Sequence, residues 1–320
     1  MDVLVCLANR ATVDITARCA VEQSEKWRRE EEGSLRRILN HYTTIRRTGG
    51  QMVDLKHVLA GIDQKQHTIN QARPLPTSTL KSLEDDFTIR YAHNTTAIEG
   101  NTLTLSETQV VLEDGVTIGG KTLREHLEVL NMRDALVWLR GVVQHDDPIT
   151  DRSIMEMHRI IMAGILKDEA GFYRRQPVYI GGAAHVPPNW IKVPDLMEDL
   201  SKRVEAGPGE AHPVVFAAEM HLDLVRIHPF ADGNGRTARL LTNLILIRDG
   251  YPPAMYSAGE RAEYIDAIRE ADSGSPARFV IATARAVEYM QDRYLTMIRQ
   301  VEEGERTLQH RKVQDPDLNL

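Results

Sequence analysis

The sequence predicts an all-α protein that carries a single β-hairpin. Three observations lead there. Apolar residues recur at helical spacing through most of the chain, as in Leu80, Leu83, Phe87 and Tyr91, or Leu240, Leu241, Leu244, Ile245 and Ile247. Proline and glycine fall between such runs, as in Arg73-Pro74-Leu75-Pro76 and Gly250-Tyr251-Pro252-Pro253. Only Val178-Tyr179-Ile180, running into Gly181-Gly182, has the pattern of a strand entering a turn, with His185-Val186 able to return before Pro187 and Pro188.

The elements follow in order. Residues 1–73 form an N-terminal helical segment of unassigned role: Glu22 to Arg37 is densely charged with both signs, Thr48-Gly49-Gly50 is a break, and Leu55, Val58, Leu59 and Ile62 recur at helical spacing despite Gly61. The main domain spans 74–299, entered after Pro74 and Pro76, with Thr77, Ser78 or Thr79 as N-cap. Asn94 or Thr95 can cap a short helical turn over 94–100 that Gly100 ends. Helices follow over Thr104 to Glu113, Lys121 to Trp138 and Ser153 to Ile165, where His126 and His158 read as satisfied packing residues. Pro213 to Ile227, the run after residue 239, Ser257 to Ala271 and Phe279 to Ile298 complete the set, and residues 300–320 read as a polar tail that frays.

Composition narrows the function classes. A net charge of −7 and 5% aromatic residues disfavour a nucleic-acid surface or a base-stacking platform. Cys6 and Cys19 form neither a CxxC pair nor a metal spacing and read as free thiols. The apolar run after Asp2 lacks a basic region before it and is too short for a signal core or membrane span, so a cytoplasmic location is expected.

The chemistry concentrates in His228-Pro229-Phe230-Ala231-Asp232-Gly233-Asn234-Gly235-Arg236-Thr237-Ala238-Arg239, between two apolar helices. Gly233 and Gly235 flank Asn234 and let the backbone turn its N–H groups to one point at a helix N-terminus, where phosphate binds. Arg236 and Arg239, three apart, add two planar forks. Asp232 offers one hard oxygen, as a magnesium ion shared with phosphates needs, and His228 titrates near neutrality, suited to taking a proton from a hydroxyl.

These twelve residues match the Fic motif, HxFx(D/E)GNGRxxR, at every specified position, and the chain resembles that family from about Pro74 to Met297. The resemblance implies a Fic-type helical bundle and transfer of AMP from ATP to a Ser, Thr or Tyr hydroxyl of a protein. It makes His228 the general base and Asp232 the Mg2+ ligand. Gly233, Asn234, Gly235, Arg236 and Arg239 become the phosphate cradle. Upstream, Thr95-Thr96-Ala97-Ile98-Glu99-Gly100 is similar to the inhibitory (S/T)xxxE(G/N) motif of the class whose inhibitory helix precedes the Fic core, which implies that Glu99 pairs with Arg239 and that the enzyme is held back. In the same resemblance, residues 174–186 are the flap, with Val178, Tyr179, Ile180 and Gly181 pairing with an extended segment of the target. Tyr264 lines the adenine pocket, whereas a later family Asn stands here as Asp272, which loosens the expectation for the base.

Alternatives remain open at this point. Glu99 and a water could instead remove AMP from a modified target, or the site could bind nucleotide without turnover. A homodimer is possible. A metal site from Glu219, His221, Asp223 and His228 is disfavoured, because the two histidines are seven apart rather than four.

Overall fold

The computed structural model describes residues 45–46, 52–53, 55–72, 74–181 and 185–314. Within them the fold is a helical bundle. Its helices are α1 (Leu55–Gln71), α2 (Thr77–Ile98), α3 (Leu105–Asp114), α4 (Leu123–His145), α5 (Asp151–Ile161), α6 (Val193–Ala206), α7 (Pro213–Ile227), α8 (Asn234–Arg248), α9 (Arg261–Asp272) and α10 (Ala277–Gln314). Two short strands, β1 (Ile45–Arg46) and β2 (Met52–Val53), pair antiparallel ahead of α1.

Capping residues set several of the boundaries. Thr104 and Thr122 each accept from a Glu amide three residues on while that Glu side chain returns to the cap N–H, closing the first turns of α3 and α4. Pro213 opens α7, where no donor is needed. Helix α8 is buried along nearly its whole length and packs on α7, with α5, α4 and α2 on its other sides. That position explains its all-round apolar sequence after Arg239.

Four expectations need correction. Residues 94–98 are not a separate short helix but the last turn of α2. Asn94, expected as a cap, instead donates from Nδ2 to Arg90 O (2.9 Å) and accepts from the Ala258 amide (2.8 Å), so its polar groups are satisfied with the helix intact. The 174–186 segment forms no strand ladder among its described residues; its arms, 174–181 and 185–188, are irregular, with a bend at 175–176 and a turn at 181, and 182–184 lie outside the description. The strand pairing that does occur lies ahead of α1 instead. Finally, α10 does not end near Ile298 but continues to Gln314, helped by pairs four apart such as Arg306 with Glu302. Residues 315–320, and Cys6 and Cys19, lie outside the described residues.

Helix α1 belongs to the same core as the domain that follows. Leu55, Leu59, Ile62 and Ile69 are buried with the residues of α10, Gln291 donates to Ile62 O (3.0 Å), and Lys65 reaches Glu288 (2.9 Å) and Asp292 (2.6 Å). No helix among the described residues is long and apolar enough to cross a membrane. Replacing fully buried Ile62 with Ala should destabilise the protein by about 2–5 kcal/mol, through lost transfer energy and a cavity. Urea unfolding checks this, and a loss below about 1 kcal/mol would mean that α1 is only loosely docked.

Candidate active site

The loop between α7 and α8 is fixed from inside. Helix α7 ends at His228, which takes the left-handed conformation (φ 49, ψ 59) that a non-glycine residue holds only under constraint. Asn234 closes the loop: its Oδ1 accepts from Phe230 N and its Nδ2 donates to Phe230 O, both at 2.9 Å. The Phe230 ring is fully buried and stacks on His158, with centroids 3.7 Å apart and planes 2° from parallel. His158 accepts the Gly171 amide at Nδ1 (2.9 Å) and lies 2.9 Å from Asp232 O at Nε2. An amide only donates and a carbonyl only accepts, so this ring is neutral with its proton on Nε2. Gly233 has φ 79 and starts α8; a Cβ there would meet Met162 Sδ at 2.7 Å, so no larger residue fits.

No side chain caps α8, which leaves the first-turn amides of Asn234, Gly235 and Arg236 as donors at a positive helix end. Charged groups surround them. His228 Nδ1 lies 3.3 Å from Val225 O, an acceptor, which puts the proton on Nδ1 and the lone pair on Nε2. Burial lowers the His228 pKa below its usual value, with the Val225 carbonyl pulling the other way, so the ring is neutral at pH 7 and able to accept a proton. Arg236 is buried, donates to Glu128 Oε1 (3.1 Å), reaches Asp232 Oδ1 (3.5 Å) and leaves Nε unpartnered. Burial alone would raise the Asp232 carboxyl, but the 2.6 Å bond from Arg124, the Arg236 charge and the Gly233 amide hold it below its ordinary value.

The Asp232 carboxylate is 41% exposed. Among the described residues no group of three or more His, Cys, Asp or Glu side chains forms a metal cluster. A hard cation would therefore take one ligand from Asp232 and the rest from phosphate and water, which suits magnesium.

Arg239 is 1% exposed and has every arm of its fork engaged. Nε donates to Thr95 Oγ1, Nη2 to Thr95 O and to Glu99 Oε1, each at 2.8 Å, and Nη1 to the Tyr264 hydroxyl at 3.2 Å. Burial opposes its charge, but Tyr264 and Glu99 outweigh that and raise its pKa. The Glu99 carboxylate also lies against Gly235, where a Cβ would collide with it. Tyr264 donates in turn to His221 Nε2 (2.9 Å), and His221 Nδ1 meets Thr242 Oγ1 (3.0 Å). Burial, and then the Arg239 charge, keep His221 neutral.

The residues expected from sequence divide into three groups. His228, Asp232, Gly233, Gly235, Arg236, Arg239, Thr95 and Glu99 converge at the start of α8. Asn234 is there too, but its side chain is spent on Phe230, and Tyr264 is buried behind Arg239 with its hydroxyl on that fork. Val178, Tyr179, Ile180 and Gly181 lie on the outgoing arm, with Tyr179 90% exposed. Asp272 accepts from Arg226 Nε (3.3 Å). Sequence reasoning missed Arg124, Glu128 and Arg174 as site neighbours; it read His158 as a satisfied packing residue, as it is, without its bond to the loop, and weighed His221 only as a disfavoured metal ligand. The four-residue spacing of Arg124 and Glu128 on α4 was the one local signal for that pair.

With this geometry in view, the family can be stated. Residues 148–246 match the family model described as Fic/DOC family. A solved structure of Fic-1 (aa134–508) from C. elegans aligns with a TM-score of 0.71 and 34% identity, covering 77% of this chain and 73% of that one. A Fic domain containing signaling protein from Bacteroides thetaiotaomicron aligns with a TM-score of 0.62 and 28% identity, over 76% of this chain and 94% of that one. The chain belongs to the Fic/DOC family. Curated relatives include a protein adenylyltransferase Fic of Aedes aegypti, 36% identical over 73% of this chain and 47% of that protein. Another with the same description, from Nematostella vectensis, is 36% identical over 75% and 56%. The chain thus spans about half the length of the curated relatives it matches.

His158 gives the site a pH limit. Burial lowers its pKa to about 4, the Asp232 carbonyl partly opposing and Arg236 adding. The unfolded chain titrates near 6.5, so the buried neutral ring stabilises fully above that pH. Its contribution falls away between about 6.5 and 4, by about 3 kcal/mol in all. Urea midpoints should drop more for the native chain than for His158→Gln between pH 7 and 4.5; equal drops would refute this.

Proposed function

We propose that this chain is an autoinhibited protein adenylyltransferase, moving AMP from ATP to a Ser, Thr or Tyr hydroxyl of a protein and releasing diphosphate. The observation that carries the reading is the 2.8 Å bond between Arg239 and Glu99, beside Gly235, at the uncapped start of α8. The amides there and the Arg239 fork suit a polyphosphate, and the one acid touching that fork stands where an anion would go.

In the proposed reaction the triphosphate lies along residues 233–236, with Arg239 freed to bind its terminal phosphate. His228 Nε2 takes the proton as the acceptor oxygen bonds to the α-phosphorus and the bond to the β-phosphate breaks. The first-turn amides and Arg236 stabilise charge on the departing diphosphate. Asp232 would hold Mg2+, which supplies further charge neutralisation when bound. Residues 178–181 make no backbone–backbone hydrogen bond among the described residues, so their N–H and C=O groups are open to an extended target segment, which supports docking of the target as an added strand.

With Glu99 on Arg239, a terminal phosphate would meet a like charge and lose its partner, a cost of several kcal/mol. Glu99→Gly should therefore raise incorporation of labelled AMP into protein about tenfold or more, and His228→Ala should cut it by roughly two to four orders of magnitude. Equal, unchanged activity in both variants would sink the reading. If neither turns over while nucleotide still binds, the site is a binding module.

A second reading is favoured by the exposure of Glu99, 37%, which leaves its carboxylate able to hold a water. Release of AMP from a pre-modified target, lost in Glu99→Gly, would identify that hydrolytic direction.

A further inference from the structure

Arg174 is a buried cation without an acidic partner among the described residues, and all its bonds go to backbone carbonyls. Nε donates to His228 O (2.8 Å), Nη1 to Gln176 O (3.2 Å) and Nη2 to Pro188 O (2.6 Å) and, more distantly, to Ile227 O (3.5 Å), while its own amide donates to Pro229 O (2.8 Å). Burial lowers its pKa with nothing opposing. A desolvated charge persists in such a place only if its donors are fully used, and here they join three chain segments. Gln176 lies at the start of the outgoing arm, Pro188 at the end of the returning arm, and His228 is the residue whose left-handed backbone ends α7. Neither arm has a backbone ladder; one backbone bond, from the Arg174 amide to Pro229 O, and the side chains of Arg174 and His185, the latter donating to Arg226 O (2.8 Å), hold the arms against the loop.

We infer that Arg174 is a positioning residue: it clasps both ends of the acceptor-docking segment onto the backbone of His228 and so fixes the distance between a docked hydroxyl and the imidazole. The inference rests on the proposed transfer reaction. A lysine would keep the charge but, as a point donor without the planar fork, could not span these carbonyls. The docked acceptor would then be misregistered while the phosphate cradle, built on α8, stays as it was. Errors of about 1 Å in such placement cost on the order of a hundredfold in rate.

The test uses the full chain with Glu99→Gly, with and without Arg174→Lys. The acceptor is the full-length His228→Ala chain, which cannot modify itself. The expected result is a fall of about 10- to 100-fold in kcat/KM for the acceptor, with KM for ATP within about twofold. Amide hydrogen exchange, which needs no turnover, should show residues 178–181 and 185–186 exchanging faster while residues 236–248 stay protected. Unchanged acceptor kinetics, or equal loss for acceptor and ATP with α8 also exposed, would overturn the assignment. Should Arg174→Lys fail to fold, His185→Ala must give a milder selective loss for the acceptor, and its absence counts against the proposal. If Glu99→Gly transfers nothing at all, the transfer reading fails, and the exchange pattern alone still decides whether Arg174 holds the arms.

Discussion

A buried guanidinium governs this architecture. Arg239 sits on the first turns of a helix enclosed on all sides, and a charge there is stable only with each donor occupied and a negative group close by. Thr95, Tyr264 and Glu99 meet that requirement from two other helices, α2 and α9. The relative placement of α2, α8 and α9 therefore follows from one side chain. The same need makes the site receptive, because any ligand that displaces Glu99 has to bring a comparable negative charge. Phosphate does so with the geometry a planar fork prefers.

Rigidity around this charge comes from neutral groups. Asn234 locks the loop by a pair of bonds to one residue, and His158 reads the loop backbone from α5 while its ring covers Phe230. Both nitrogens of His158 and both of His221 are committed, so neither ring has a free donor or acceptor to offer a ligand. They act as spacers of fixed polarity. His228, by contrast, keeps Nε2 uncommitted, and that difference separates the proposed base from the supporting imidazoles.

Much of this was legible in the sequence because it is local. The α7–loop–α8 unit needs only apolar periodicity, Pro213, two glycines and Gly250, and its helix starts at the expected residue. Glu99 and Arg239 lie 140 residues apart, and their pairing was expected through the family motif rather than from spacing. What stayed hidden depends on tertiary contact. Asn94 and Thr95 carry cap chemistry, yet Ala258 and Arg239 use those polar atoms and let α2 continue past them. Tyr264 was expected to line the adenine pocket through the family resemblance; that its hydroxyl also completes a buried chain from Arg239 to His221 is something no periodicity reveals. Arg174 drew no reading of its own beyond opening the 174–186 flap, because the carbonyls it bonds are brought together only by the fold.

The end of α2 has one more consequence. Thr95 and Glu99 occupy a single helical turn, held from beyond by Arg261 on Ile98 O (2.5 Å). A helix end frays residue by residue, so Glu99 would part from Arg239 before Thr95 does. Unwinding from that end would release the Glu99 bond first and the two Thr95 bonds after it, so under the proposed restraint a tug on residues 99–102 would loosen the guanidinium in steps.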